Sequence, residues 1–196
     1  MATTSKPRLV ILAGPNGAGK TTSAKYLLRD SLKLREFVNA DTVAAGLSGF
    51  APETVAFEAG RIVLKRINAL IELRSSFAFE TTLSSKSLAR ILERAAIAGY
   101  KIDLIYLALP SAELAVERVA ARVKLGGHDI PQATIVRRFH RSLHNLVTRY
   151  IPLVHRWKVF DNYHIPPELL AFGTRRNTTI LVEQKWQTLN KLARKP

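Results

Sequence analysis

The stretch "RLVILAGPNGAGKTT", Arg8 to Thr22, decides the fold. After its arginine it runs to Ala13 as apolar, mostly branched residues, the composition of a parallel-sheet strand covered on both faces. It then passes directly into the pattern G-x-x-x-x-G-K-[ST], with Gly14, Pro15, Asn16, Gly17, Ala18, Gly19, Lys20 and Thr21 in register and Thr22 beside them. A polyphosphate must be wrapped by backbone N–H groups, and side chains at the glycine positions would block that approach. Lys20 is then placed to reach the β- and γ-phosphates, and the Thr21 hydroxyl to ligate Mg²⁺. The motif therefore predicts binding of ATP with Mg²⁺ and leaves open what receives the γ-phosphate.

Working outward, similar strand-like runs recur at "EFVNA" (36–40), "SFAFE" (76–80), "KIDLIYLAL" (101–109), "WKVFDN" (157–162) and "TTILVE" (178–183). Helical patterns lie between the early ones. The segment 52–73 sets Val55, Ala59, Ile62, Val63, Ile67 and Leu70 on one stripe, with Pro52 tolerated in the first turn. Residues 84–98 read as a second helix stopped by Gly99. Residues 111–125 read as a third, with Ser111 as N-cap, Glu113 early, and Arg122 and Lys124 late, as the helix dipole favours. Strands alternating with helices predict a three-layer α/β/α sandwich with a mainly parallel sheet, which with the phosphate loop gives the P-loop nucleoside-triphosphate hydrolase/kinase fold. No repeat or linker divides the chain, so residues 1–196 are expected to form a single domain. A helical lid is expected at about residues 118–145, and the element expected to move is "KLGGHDIPQ" (124–132), whose paired glycines and proline separate two basic helices.

Composition narrows the partners. The 196 residues contain no cysteine, which excludes a disulfide scaffold, a cysteine nucleophile and a thiolate metal site. The start, "MATTSKPRLVILAG", has too short an apolar run for a secretory signal, and no stretch approaches the ~20 apolar residues that span a bilayer. A cytoplasmic protein without membrane contact is the expectation. The net charge is +15, and between Arg118 and Lys158 nine Lys/Arg stand against the single acid Asp129, a net of +8. Such a block can line an anionic small-molecule site, follow a nucleic-acid backbone, or form a solvated face. No aromatic stacking series accompanies it, which argues against nucleic acid.

No LSGGQ-type signature and no N-K-x-D-like guanine reader occur, so among P-loop classes a small kinase fits the size best. A kinase needs a carboxylate to orient the acceptor hydroxyl and take its proton. Asp41, after the second strand-like run, falls on the same sheet edge as the phosphate loop, although it could instead cap the helix starting at Thr42. Glu80 ends "FAFETT", where it could hold Mg²⁺ through water, contact the acceptor, or share a capping role with Thr82 or Ser84. Glu58 has Arg61 three residues on, so a surface ion pair is the plain alternative to a functional role.

Taken in order, "GPNGAGKTT", "VNADTVA", "AFEAGRIVLKRI", "FAFETTLS", "ERVAARVKLGGHDIP" and "RRFHRSLHNL" resemble the zeta-toxin family, especially its chromosomal zeta-toxin-like branch. The resemblance runs to about Asn162. It implies ATP-dependent phosphorylation of the amino-sugar 3′-hydroxyl of UDP-N-acetylglucosamine or a related UDP-sugar, and an antitoxin protein as a possible partner. It also implies that Asp41 is the general base and that Glu58 and Glu80, with Thr81 and Thr82, contact the substrate. Of the family's two γ-phosphate arginines, the first matches Arg118. The second belongs near Pro131, where this chain has His128, which leaves Arg122, Arg137 or Arg138 for the role. Helical spacing puts Val116, Val119, Ala120 and Val123 on an apolar stripe with Arg118 and Arg122 roughly opposite, a pair that could close on a phosphate or simply face solvent. Asn162, in "VFDNYH", is where related kinases run a loop past adenine, and an ordinary turn after a strand is its alternative. His128, His140 and His144 lack the partners of a recognisable metal set.

Overall fold

In the computed structural model, which describes residues 6–24, 34–127 and 129–194, the opening apolar run is β1 (Arg8–Ala13), with Leu9 through Ala13 fully buried. The other strands are β2 (Glu36–Val38), β3 (Phe77–Thr81), β4 (Lys101–Ala108), β5 (Arg156–Asp161), β6 (Glu168–Thr174) and β7 (Thr178–Ile180). They form one seven-stranded sheet in the order β2-β3-β1-β4-β5-β6-β7. The first five are parallel, and β6 and β7 are added antiparallel at one end. The helices are α1 (described over Lys20–Ala24), α2 (Ala40–Leu47), α3 (Ala56–Glu72), α4 (Leu88–Ile97), α5 (Ala112–Lys124), α6 (Gln132–Asn145), α7 (Ile151–Leu153) and α8 (Glu183–Ala193). A π-helical turn, Leu146–Tyr150, joins α6 to α7. This is the expected α/β sandwich of P-loop kinases. No helix among the described residues is long and apolar enough to cross a membrane.

Four local readings are corrected. The helix expected from Pro52 opens with a 3₁₀ turn, Pro52–Val55, and on its α-helical part Ala59, Ile67 and Leu70 are buried while Ile62 stays exposed. The helix expected from Ser84 begins at Leu88. Hydrogen bonds between the hydroxyls of Thr82 and Ser84 and of Ser85 and Ser87, with Leu83 at φ 60°, hold residues 82–87 as a loop. On α5, whose Ser111 cap accepts from the Leu114 N–H at 3.2 Å, Ala112, Ala115 and Val119 face the core and Ala120 is exposed. Finally, "TTILVE" contributes only the three exposed residues of β7, while β6 carries the pairing that the sequence reading missed. Gly173 of β6 is required by packing, since a Cβ there would lie 2.3 Å from the Asn177 carbonyl oxygen and 2.9 Å from the Trp157 ring.

Parallel strands joined by helical crossovers bring their carboxyl ends to one edge. Because β3 lies between β2 and β1, the segment after β2 faces the phosphate loop after β1 across the end of β3. That order sets the geometry of the site.

Candidate active site

The phosphate loop is shaped by tight backbone contacts. Gly14 has φ +151°, and a Cβ there would fall 2.3 Å from the Leu107 carbonyl of β4, so no other residue lets the loop leave β1 at this angle. At Gly17 (φ +75°) a Cβ would meet the Ala115 carbonyl at 2.8 Å and the Arg118 Cβ at 3.1 Å, so α5 is packed directly on the loop. Lys20 is buried and its Nζ donates to the Pro15 carbonyl at 2.9 Å. Thr22 is exposed one residue beyond Thr21.

Glu80 joins both halves of the site. Paired in register with Leu12 of β1, it stands at the carboxyl end of β3. One oxygen accepts from Thr21 Oγ1 at 2.9 Å and from Asn39 Nδ2 at 2.9 Å, and the other lies 3.7 Å from Lys20 Nζ. Burial pushes the Glu80 carboxyl above its ordinary range, against the pull of Lys20 and the Thr21 hydrogen bond, and Asp41 adds to the rise. Burial likewise pushes Lys20 down, with Glu80 and Asp41 opposing it and Arg122 reinforcing it. Glu80, Asp41 and Arg122 thus all lie within electrostatic reach of Lys20. The hydroxyl of Thr21 and the carboxylate of Glu80 form the hard-oxygen set that suits Mg²⁺.

Asn39, which sequence reasoning passed over, is the hinge of this arrangement. Its Oδ1 accepts from the N–H groups of Asp41 (2.7 Å) and Thr42 (3.3 Å), making it the N-cap of α2. Asp41 is thereby not the cap but a first-turn residue with its carboxylate exposed, and the helix starts at Ala40 rather than Thr42. The signal was present in "VNAD", but Asn and Asp are interchangeable as caps and the sequence does not choose between them.

The remaining predicted residues divide by place. Thr81 Oγ1 accepts from the Leu83 N–H and Thr82 bonds Ser84, so both stiffen the loop after β3 beside Glu80. Glu58 is exposed on the first turns of α3, in a groove of about 540 Å³ with Phe57, Arg61, Ile62 and Lys65. Arg118 turns to the loop after β5, donating to the carbonyls of Asn162 (2.9 Å) and Tyr163 (2.8 Å). Arg122 is the α5 arginine within electrostatic reach of Lys20. Its stem is held by the glycine pair that ends the helix: a Cβ on Gly127 would lie 2.5 Å from Arg122 Cγ. Arg138 of α6, half-buried, feels Asp41. His128 lies outside the described residues.

Asn162 is buried and reaches back to the phosphate loop, donating Nδ2 to the Ala18 carbonyl at 2.7 Å. Its Oδ1 is buried without a hydrogen-bond partner among the described residues, as is Asn16 Oδ1. Asn162→Ala is expected to cost about 2 kcal/mol of stability by orphaning the Ala18 carbonyl, a fall of roughly 4–8 °C in Tm for a domain of this size. Thermal unfolding without ligand checks it. Excess ATP should recover part of the loss, since a ligand that binds only the folded state stabilises it.

Known proteins place the chain. A family model described as Zeta toxin matches residues 1–169. A protein of Haemophilus influenzae described as uncharacterized is 26% identical over 132 residues, 67% of this chain and 92% of its own. Among solved structures, the complex of AvrRxo1-ORF1 with AvrRxo1-ORF2 superposes with a TM-score of 0.77 at 19% identity over 97% of this chain, which spans 64% of that longer chain. The PezAT chromosomal toxin-antitoxin system of Streptococcus pneumoniae superposes at 0.67 and 16% identity, over 98% of this chain and 89% of that one. These structural likenesses speak for the fold; the match over residues 1–169 goes further, and by it the chain belongs to the zeta toxin family of P-loop kinases.

Proposed function

We propose that the protein transfers the γ-phosphoryl group of ATP to a hydroxyl of a UDP-sugar, UDP-N-acetylglucosamine or a close relative. The observation that carries transfer to a hydroxyl is the exposed Asp41 carboxylate, set in the first turn of α2 by the Asn39 cap, across β3 from the phosphate loop; family membership is what supports a UDP-sugar as the acceptor. Donor machinery and a free-standing base therefore flank one carboxylate. Lys20 holds the β- and γ-phosphates, and Arg122 at the end of α5 supplies a second cation where charge spreads over the transferring group. Thr21, with Glu80 behind it, would hold Mg²⁺, which would supply positive charge to offset that of the phosphates. Asp41 accepts the proton of the attacking hydroxyl. Arg118 braces the loop of Asn162 and Tyr163 on the nucleotide side, and Asn162 Oδ1 is left to accept from a donor on the nucleotide. Glu58, Thr81 and Thr82 border the acceptor side.

A polypeptide antitoxin belongs to the same reading, supported by family membership and by the likeness of this chain to the PezAT toxin-antitoxin structure. The test of the reaction is incubation with γ-labelled ATP and a panel of UDP-sugars, free sugars, nucleosides and 5′-hydroxyl oligonucleotides. Label is expected on UDP-N-acetylglucosamine or a close relative. Transfer confined to oligonucleotides or uncharged sugars would overturn the acceptor assignment.

A further inference from the structure

Beneath α8, where β4 and β5 end, lies a cavity of about 310 Å³ whose residues take no part in the reaction outlined above. Its floor is made by Ala108 and Leu109 at the end of β4, Leu170 of β6 and Leu189 of α8, all buried, and Pro110 and Thr188 stand exposed at its rim. The space has a cause in the sequence. Tyr106 fills its place on one face of β4 and bonds Ser142 of α6, but two residues on, on the same face, Ala108 offers only a methyl group. The helix is not free to settle into the gap, because it is held at three points. Trp186 stacks on Trp157 of β5 with ring centroids 5.7 Å apart, the His144 ring bonds the Ala193 carbonyl at 3.1 Å, and Lys185 donates to Asp161 at 2.6 Å and to Glu168 at 2.7 Å. The cavity is therefore a fixed feature of the fold that is filled from outside.

Its lining selects a ligand unlike the substrates of the kinase site. An apolar floor of this size suits one aromatic ring or branched chain. Among the described residues Lys185 is the one cation in the lining, and it stands between the carboxylates of Asp161 and Glu168, so the cluster is net negative and repels phosphates and carboxylates. Two of the three Lys185 N–H groups go to those carboxylates, which leaves the third for a neutral oxygen. The walls are also the supports of the nucleotide site. Ala108 pairs with Asp161, and its carbonyl accepts from the Asn162 N–H at 2.9 Å. Asn162 in turn holds the Ala18 carbonyl of the phosphate loop. Leu109 and Pro110 lead into Ser111, the cap of α5, and α5 is the helix packed on Gly17. A molecule that adds contacts to these walls stabilises the arrangement in which Asn162 is docked on the phosphate loop, the same arrangement that ATP meets.

We propose that the cavity under α8 is an effector site for a small, neutral, mainly apolar molecule carrying one hydrogen-bond-accepting oxygen, and that its occupancy strengthens ATP binding. This rests on ATP at the phosphate loop and is independent of the acceptor. Ala108 and Leu189 set the fit of the apolar body, Lys185 takes the oxygen, and Asn162 carries the effect to the phosphate loop.

The test uses the whole protein, with 2-phenylethanol as probe and a non-hydrolysable ATP analogue with Mg²⁺. The probe is expected to bind with a Kd of ~0.1–1 mM and to shift the methyl NMR signals of Leu170, Leu189 and Leu192. Phenylacetate, which puts a carboxylate where the probe has its hydroxyl, should bind at least ~10-fold more weakly. Saturating probe should tighten the analogue by ~5-fold, and saturating analogue should tighten the probe by the same factor, because such coupling is reciprocal. Ala108→Leu fills the floor from the sheet and Thr188→Phe closes the mouth from an exposed position on α8. Each should weaken the probe at least ~10-fold and abolish its effect on the analogue, whereas Thr188→Ser should keep both. Absence of probe binding, binding indifferent to both variants, or shifts at the exposed Phe50 and Phe57 in place of the α8 leucines would overturn the site. Phenylacetate bound as tightly as the probe would overturn the neutral ligand, and binding without a change in analogue affinity would overturn the effector role. All of these leave the kinase reading standing. Failure of the wild-type protein to bind the analogue at all removes the ATP reading first, and the effector role with it.

Discussion

Asp41→Asn is expected to lower the rate of phosphoryl transfer by ~10³-fold while leaving ATP affinity within about twofold. The asymmetry follows from position. Asp41 makes no structural contribution to the α2 cap, which belongs to Asn39, and the two N–H groups held by Asn39 Oδ1 are unaffected by the change. Asparagine has nearly the same shape and can still orient a hydroxyl, but it cannot take its proton. The effect should therefore appear in kcat with little change in acceptor KM, the signature of an interaction made at the transition state. Rapid-quench measurement of transfer, beside calorimetric titration of an ATP analogue, separates the two quantities. A variant that keeps more than about a tenth of the wild-type kcat would remove Asp41 from the role of base, since general-base contributions begin near ~10²-fold. Loss of ATP binding would instead show that its charge supports Lys20. Asn39→Ala provides the contrast: removal of both the cap and the hydrogen bond to Glu80 should reduce stability as well as rate.

The contrast between Asp41 and Asn39 also marks how far the sequence could be read. β1 and the phosphate loop were legible because a strand buried on both faces is continuously apolar and because the loop's chemistry fixes both residue type and spacing. The carboxylates after β2 and β3 were legible as candidates, since any parallel sheet delivers strand ends to one edge. Their wiring was not. That Glu80 accepts from both Thr21 and Asn39 depends on β3 lying between β2 and β1, an order that periodicity does not encode. The two α5 arginines illustrate the same limit. Helical spacing put Arg118 and Arg122 on one side of the helix, but it was the approach of α5 to Gly17 that sent Arg118 toward the loop after β5 and left Arg122 near Lys20. The sequence pattern predicts a helix from Ser84, four residues before α4 begins. Hydroxyl hydrogen bonds within residues 82–87 outcompete the helix there.

Lys20→Met should abolish turnover, by ~10³-fold or more through loss of the cation at the β- and γ-phosphates, and it should also change how stability depends on pH. Lys20 and Glu80 are a buried pair at 3.7 Å, and burial works against the charge on both. A carboxyl raised in the folded protein binds its proton more tightly there than in the unfolded chain. Its contribution to stability is present below its ordinary value of 4.5 and is lost as pH climbs through the raised folded-state value. In the wild type Lys20 restrains that rise; in Lys20→Met the restraint is gone, so more stability is lost over the same climb. The Tm of the variant should therefore fall relative to wild type as pH goes from about 4.5 toward 7. Removing the ammonium's own desolvation cost displaces the variant's curve, but the slope in that window belongs to Glu80. Adding Glu80→Gln to Lys20→Met removes the titrating group and should flatten the difference. Parallel Tm profiles for wild type and Lys20→Met would mean that the two charges do not share an environment, and the picture of Glu80 as the link between donor and acceptor halves would fail with them. A slope that appears in the single variant and vanishes in the double would locate the coupling at the one carboxylate that Thr21, Lys20 and Asn39 all touch.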